Sequence, residues 1–154
     1  MSYSPQDLNT WNSSNPIGSA MDFQTPFDTA TVMMTEYDLE NMFWTFTTMT
    51  SFDHWGHPVS GHRRFELRDN HDGTFTFRVR GADRLHSTFD WLANETLPSP
   101  GGSDFAFDLA DRTWKNLMET VEKFIKSKPG SKVTPFDRNK EYGTRHPYNK
   151  DDCK

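Results

Sequence analysis

The chain has 154 residues, about the length of one domain, and a formal net charge of −5, which argues against nucleic acid as a partner of the whole surface. Hydrophobic residues make up only 33% of the sequence and 14% of all residues are aromatic, so a core requires that most large rings point inward. No apolar run reaches the roughly 18 residues of a membrane-spanning helix. The single cysteine, Cys153, excludes a disulfide framework and a cysteine-based metal site.

The N-terminal segment, residues 1–22, is predicted to be a flexible leader because it is rich in Ser, Asn, Pro and Gly. It lacks the basic and apolar regions of a signal peptide, so any export must use another machine. We expect a single globular domain over residues 23–137 and a polar tail over residues 138–154.

Two elements are predicted ahead of the arginine-rich part of the chain. A helix is expected over residues 26–43, since TPFD at residues 25–28 is a typical helix start and apolar residues recur at helical spacing from Phe27 onward. The aromatic and β-branched run WTFTTMTSF, residues 44–52, favours a strand.

Residues 62–80 are predicted to form a β-hairpin. Phe65 and Leu67 alternate with charged residues, a second alternating run follows, and residues 69–73 (DNHDG) supply the turn. Apolar side chains then share one face of the hairpin, and arginines crowd the other.

The predicted register of the hairpin brings like charges together. If the apolar faces align, Phe65 lies opposite Phe77 and Arg64 lies opposite Arg78. Like charges directly opposite each other are destabilising, so we expect that Glu66 or a bound anion relieves the repulsion.

Helices are predicted after the hairpin, from Asp83 to about residue 93 and, with an unbroken apolar stripe, over residues 105–127. A lone hairpin is only marginally stable and needs further strands and a helix. The predicted fold class is α+β, with a small antiparallel sheet of three or more strands, built around the central hairpin 62–80 and covered on one face by helices.

Six arginines in and beside the hairpin are the leading functional candidates: Arg63, Arg64, Arg68, Arg78, Arg80 and Arg84. Guanidinium groups on adjacent strands offer forked donors to phosphate or carboxylate groups. The alternative is a solvated sheet face on which Glu66, Asp69 and Asp83 pair with the arginines.

A second candidate is the cluster of Asp53, His54, His57 and His62, whose side chains are of the types that bind zinc. On this hypothesis the protein is a metal-dependent hydrolase. The flexible loop expected here fixes no ligand geometry, so no metal is assigned. The sequence contains no GxGxxG, P-loop or GxSxG pattern, and no cofactor is predicted.

The segments PVSGHRRF, DGTFTFRVRGADR and FAFDLADRTW…VEKFI, within about residues 23–130, resemble the C-terminal toxin domains of bacterial Rhs and other polymorphic-toxin proteins. The matching positions are Pro58, Gly61, Arg63, Phe65, Phe77, Arg80, Gly81, Asp83, Arg84, Ala110, Asp111 and Trp114. The resemblance implies a secreted antibacterial effector, made in the cytoplasm and delivered without a signal peptide by a contractile or contact-dependent secretion system. It also implies two partners, a cognate immunity protein and a component of the secretion machine.

The leading hypothesis is a toxin effector domain that acts on an anionic substrate, with its site on the arginine face and the adjoining loop over residues 53–63. The predicted catalytic residues are Arg63, Arg80, Asp83, Arg84 and His62. In this hypothesis Arg63 and Arg80 hold the anionic group, and Asp83 orients Arg84. The alternative is a non-catalytic cargo or binding module that docks an acidic partner through the same face.

Overall fold

The computed structural model describes residues 4–24, 29–50, 59–85 and 105–134. The elements within these ranges are α1 (Pro5–Trp11), β1 (Ala20–Gln24), β2 (Thr29–Asp38), β3 (Phe43–Met49), β4 (Val59–Asp69), β5 (Phe75–Leu85) and α2 (Phe105–Lys126). The chain divides into two compact units, Met1–Asp108, which contains α1 and the strands, and Leu109–Lys154, which contains most of α2. The predicted extent of a single domain over residues 23–137, and of the tail after it, stays a prediction.

The five strands form one antiparallel sheet in the order β1-β2-β3-β4-β5. Each strand pairs with the next one along the chain, which antiparallel strands achieve with short connections. The predicted α+β class with an antiparallel sheet is confirmed. The helix predicted over residues 105–127 is confirmed as α2, whereas the covering of one sheet face by helices stays a prediction.

The helix predicted over residues 26–43 is wrong, because the described part of this segment is strand β2 and a turn that leads into β3. A β-bulge between Met34 and Glu36 explains the misleading pattern. The bulge adds a residue to β2, so Tyr37 joins Ala30 and Met34 on one face of the strand. Spacings of four and three residues along a bulged strand therefore imitate the apolar stripe of a helix.

The flexible leader predicted over residues 1–22 is also corrected within its described part. Ser4 caps α1 by accepting a hydrogen bond from the backbone N–H of Asp7 at 3.1 Å, and Pro5 begins the helix. The Asp7 carboxylate then accepts from the backbone N–H of Ala20 at 3.0 Å, which ties the helix to the start of β1. Hydrogen bonds from Ser4 and Ala20 hold the pKa of Asp7 below its ordinary value.

The β4–β5 hairpin is confirmed, but it is longer than predicted and has another register. Phe65 lies opposite Val79, and Arg64 lies opposite Arg80. The strands are joined by a five-residue loop, residues 70–74, in which His71 and Gly73 adopt positive φ angles of 60° and 84°. Because this loop begins one residue later than predicted, the pairing across the hairpin moves by two positions.

Both ends of the hairpin replace other predicted structure. Residues 59–63, expected in a loop, belong to β4, and β5 continues to Leu85, so the helix predicted from Asp83 does not begin there. The remainder of that predicted helix lies outside the described residues.

The sheet has an apolar face and a polar face, because successive side chains of a strand point to opposite sides. The register places on the apolar face Met21, Ala30, Val32, Met34, Tyr37, Trp44, Phe46, Phe65, Leu67, Phe77 and Val79. Trp11 of α1 stacks on Phe46 at a centroid distance of 6.0 Å, and Trp44 stacks on Phe65 at 6.1 Å. The aromatic residues thus supply much of the packing on this face.

Candidate functional site

The sheet separates the predicted site residues onto two faces. Arg63 and Asp83 belong to the apolar face, whereas His62, Arg80 and Arg84 belong to the polar face. Arg63 and Arg80 therefore do not converge on one anionic group from the same side of the sheet.

The Arg63–Asp83 ion pair has a structural explanation within the hairpin. The two side chains pair diagonally across β4 and β5 and are only 18% and 22% exposed. The residue opposite Arg63 is Gly81, and the residue opposite Asp83 is Gly61. A Cβ at Gly61 or Gly81 would lie less than 3.0 Å from the charged side chain opposite it and from a backbone oxygen of the neighbouring strand. The glycines thus make room for the pair, and Asp83 binds Arg63 instead of orienting Arg84.

The polar face carries the other five arginines: Arg64, Arg68, Arg78, Arg80 and Arg84. Glu66, which is only 8% exposed, accepts hydrogen bonds from Arg78 and, at 2.8 Å, from Arg80. Arg64 donates to Glu36 at 3.0 Å. The predicted opposite pair of Arg64 and Arg78 does not form; Arg64 lies opposite Arg80, and Glu36 and Glu66 respectively offset their charges.

The pairing of arginines with acidic residues is only partial on the polar face. Within the described ranges, neither Arg68 nor Arg84 has an acidic partner, and Asp69 lies near His71 rather than an arginine. Among the described residues, pairing with acidic side chains is therefore seen for Arg64, Arg78 and Arg80 of this face.

Both glutamates are ionised near neutral pH. Burial raises the pKa of Glu66, but the hydrogen bonds and charges of Arg78 and Arg80 together bring it below its ordinary value. Hydrogen bonds from Thr45 and Arg64 lower the pKa of Glu36. Within the described strands, five guanidinium groups share the polar face with four carboxylates, those of Asp22, Glu36, Asp38 and Glu66, so arginines outnumber carboxylates there although the chain as a whole is acidic.

Two of the arginines are held in place and still retain hydrogen-bond donors. Within the described part of the chain, Arg64 and Arg80 each use one terminal nitrogen to bind a glutamate. The Arg64 guanidinium also lies over the ring of Phe43, 4.0 Å from its centroid. Because a guanidinium has five N–H donors, both side chains can bind a further acceptor, and the Arg80 side chain is 54% exposed.

Arg64 and Arg80 border a groove of about 770 Å³ on the polar face. Its other polar lining residues are Thr35, Glu36, Thr45, Thr47 and His62. Gly81 and Ala82 of β5 complete the lining beside Arg80. The small side chain of Ala82, which lies opposite His62 on this face, leaves the space between Arg80 and the histidine unfilled.

A chain of hydrogen bonds crosses three strands at the floor of this groove. His62 Nδ1 lies 2.8 Å from Thr47 Oγ1, and Thr47 Oγ1 lies 2.9 Å from Thr35 Oγ1. The Thr35 hydroxyl donates to the backbone carbonyl of Thr45 at 3.4 Å. The bulge in β2 makes this possible, because it turns Thr35 to the same face as Glu36.

Sequence reasoning missed the three threonines of the groove. Threonine is common in strands for its β-branched shape, so its presence indicates a strand rather than a site. The available signal was the spacing of Thr45 and Thr47, which places both hydroxyls on the face opposite Trp44 and Phe46.

Three residues of the predicted metal cluster, Asp53, His54 and His57, lie outside the described residues. Over residues 4–24, 29–50, 59–85 and 105–134, no three His, Cys, Asp or Glu side chains group closely enough to hold a metal ion. Neither helix in those ranges combines the length and apolar character needed to cross a membrane.

Comparisons with protein-family models, with curated proteins and with solved structures gave no match for the chain. The functional interpretation therefore depends on the residues of the polar face and on the resemblance described above.

Proposed function

We propose that this chain is an effector domain that binds an anionic substrate group in the groove beside Arg64 and Arg80. The observation that carries the proposal is an excess of guanidinium donors over carboxylates at a groove that also presents hydroxyl groups. Arg64 and Arg80 both line the groove, whereas Glu36 is the one carboxylate among its lining residues.

The ion pairs within the face favour binding rather than preventing it. Glu36 and Glu66 hold the two guanidinium groups at the rim of the groove, so a ligand does not have to order flexible side chains. An arginine whose position is fixed can present its remaining N–H groups to phosphate or carboxylate oxygens in a forked arrangement.

The proposed biological setting comes from the resemblance to polymorphic-toxin domains. We propose an antibacterial toxin that a secretion system delivers and that an immunity protein neutralises in the producing cell. The anion-binding groove is its substrate site, with Arg80 and His62 retained from the predicted catalytic set, while Arg63 and Asp83 are assigned a structural role.

Phosphate binding tests the groove directly. We expect inorganic phosphate to shift the NMR signals of the Arg64 and Arg80 side chains and of the groove amides in a saturable manner. Arg80→Lys keeps a positive charge beside Glu66 but loses the guanidinium fork, and should weaken binding about tenfold. Arg68→Lys is the matched control, because Arg68 shares the polar face but does not line the groove. Equal affinity in the two variants would contradict the proposed site.

Growth inhibition tests the effector role. Expression of the chain inside a bacterium should arrest growth. At equal protein levels, the Arg68→Lys variant should also arrest growth, whereas the Arg80→Lys variant should not. If phosphate binds in the groove and the wild-type chain leaves growth unchanged, the toxin assignment fails and a docking module is the better interpretation.

A further inference from the structure

We infer that the groove presents His62 Nε2 as a hydrogen-bond acceptor, and that the anion bound beside it is one that carries a hydroxyl group. The first half of this inference depends only on the geometry of the groove. The second half rests on the proposed function, since it assumes that Arg64 and Arg80 hold the anionic group.

We infer the direction of the hydrogen-bond chain from its last contact, where Thr35 Oγ1 lies 3.4 Å from a carbonyl oxygen that can only accept. The backbone carbonyl of Thr45 has no proton, so the Thr35 hydroxyl donates its single proton to it. Thr35 Oγ1 must then accept from the hydroxyl of Thr47, 2.9 Å away. With its own proton used, Thr47 Oγ1 accepts from His62 Nδ1 at 2.8 Å.

The direction of the chain sets the tautomer of the imidazole. A neutral histidine carries one ring proton, and here that proton is on Nδ1, so Nε2 keeps its lone pair. His62 is exposed and lines the groove, which leaves Nε2 accessible to a ligand. Among the described groove side chains, the arginines offer only donors, whereas His62 offers an acceptor that is not already bound to a cation.

The positions of His62 and of the two arginines are close enough along the strands for one small ligand to contact both. Arg64 lies opposite Arg80, and His62 is two residues before Arg64 on the same face of β4. Two residues of a strand span about 7 Å. A ligand that bridges this interval has its hydroxyl group a few bonds from its phosphate or carboxylate, as in the phosphate ester of a polyol.

The tautomer can be measured without any ligand. We expect the ¹⁵N NMR shifts of the His62 ring, recorded about two pH units above the usual histidine pKa of ~6.5, to show a protonated Nδ1 and an unprotonated Nε2. Thr47→Val removes the acceptor and should shift the population toward Nε2–H, and Thr47→Ser should restore the wild-type spectrum. Thr48→Val is the matched control, because Thr48 lies on the opposite face of the same strand. A wild-type ring protonated on Nε2 would overturn the inference.

Paired probes test the ligand class. Glycerol 1-phosphate and n-propyl phosphate have the same phosphate group and the same number of carbon atoms, and differ in their hydroxyl groups. We expect the wild-type chain to bind glycerol 1-phosphate about 2- to 10-fold more tightly, the ratio that one neutral hydrogen bond supplies. His62→Phe removes the ring nitrogen and should reduce this ratio toward one.

The outcomes separate the two proposals. If neither phosphate ester binds, the proposed anion site is wrong. If both esters bind with equal affinity to the wild-type chain, the anion site stands and the assignment of a hydroxyl-bearing ligand is overturned.

Discussion

Arg63 and Arg64 are neighbours in sequence, yet the hairpin gives them opposite environments. Arg63 lies on the apolar face, where Asp83 is its ion-pair partner and Gly81 lies opposite it. Arg64 lies on the polar face, where Glu36 binds one of its nitrogens and the groove adjoins it. The Arg63 side chain is therefore largely buried with its own partner, whereas the Arg64 side chain lies at a groove that a ligand can enter.

The comparison shows that residue type does not assign a role to an arginine in a strand. A half-buried guanidinium with a carboxylate partner of its own and glycines that accommodate it is part of the fold. A guanidinium whose carboxylate partner is shared or exposed, and which keeps unused N–H donors beside a groove, can bind a ligand there.

Gly81→Ala should destabilise the chain most strongly. The added Cβ would lie less than 3.0 Å from the backbone oxygen of His62 and from the Arg63 guanidinium, so the hairpin and the ion pair must both move. Overpacking of this kind costs about 2–3 kcal/mol, measured as the change in the free energy of unfolding in urea.

Gly18→Ala provides the control for this experiment. Gly18 has a positive φ of 90°, but a Cβ there meets no atom within 4 Å, so only backbone strain, about 1 kcal/mol, is expected. If Gly81→Ala costs no more than the control, the glycine does not make room for Arg63, and its structural assignment fails.

Glu66→Gln should produce the next largest effect and change the pH dependence of stability. The carboxylate accepts from Arg78 and Arg80, and removing its charge while the site stays buried costs about 1–3 kcal/mol at neutral pH. The folded-state pKa of Glu66 is below its ordinary value. Its contribution to stability is therefore present above the unfolded-state pKa and is lost as the pH falls through the lower folded-state value.

Urea unfolding at a series of pH values provides the measurement. The difference in stability between wild type and Glu66→Gln should shrink as the pH falls below the unfolded-state pKa of the glutamate. Glu40→Gln is the control, since Glu40 lies in the exposed turn between β2 and β3 and should give a small, nearly constant difference. A Glu66→Gln difference independent of pH would show that the carboxylate does not stabilise the arginines by its charge.

The parts of the fold that the sequence predicted are those with an unambiguous period. Phe65 and Leu67 alternate with charged residues and were placed correctly in a hairpin, and the amphipathic pattern of Phe105–Lys126 gave a helix. Residues 29–38 failed because a bulge gives a strand the spacing of a helix. Local periodicity cannot reveal an extra residue that only the pairing with β3 defines.

The sequence predicted which kinds of residue form the candidate site, but not how the sheet arranges them. The sequence indicated that arginines of the hairpin face an anion, and it identified His62 and Arg80, which both line the groove. It grouped them with Arg63 and Asp83, although the positions of residues 62 and 63 in a strand already implied opposite faces. The contribution of β2 could not be inferred, because Thr35 and Glu36 reach the groove only through tertiary pairing.

The smallest effect is expected where both members of the enclosed ion pair are replaced together. Arg63→Ala alone leaves Asp83 partly buried beside the apolar face without a partner, and should cost about 1–3 kcal/mol. Arg63→Leu combined with Asp83→Leu removes both charges and keeps apolar volume over the two glycines, so the change in unfolding free energy should be below about 1 kcal/mol. Phosphate binding should be unchanged in the double variant, because both side chains lie on the face opposite the groove. Loss of phosphate binding in a stably folded double variant would mean that the two faces of the hairpin act as one site, and the distinction between Arg63 and Arg64 would no longer hold.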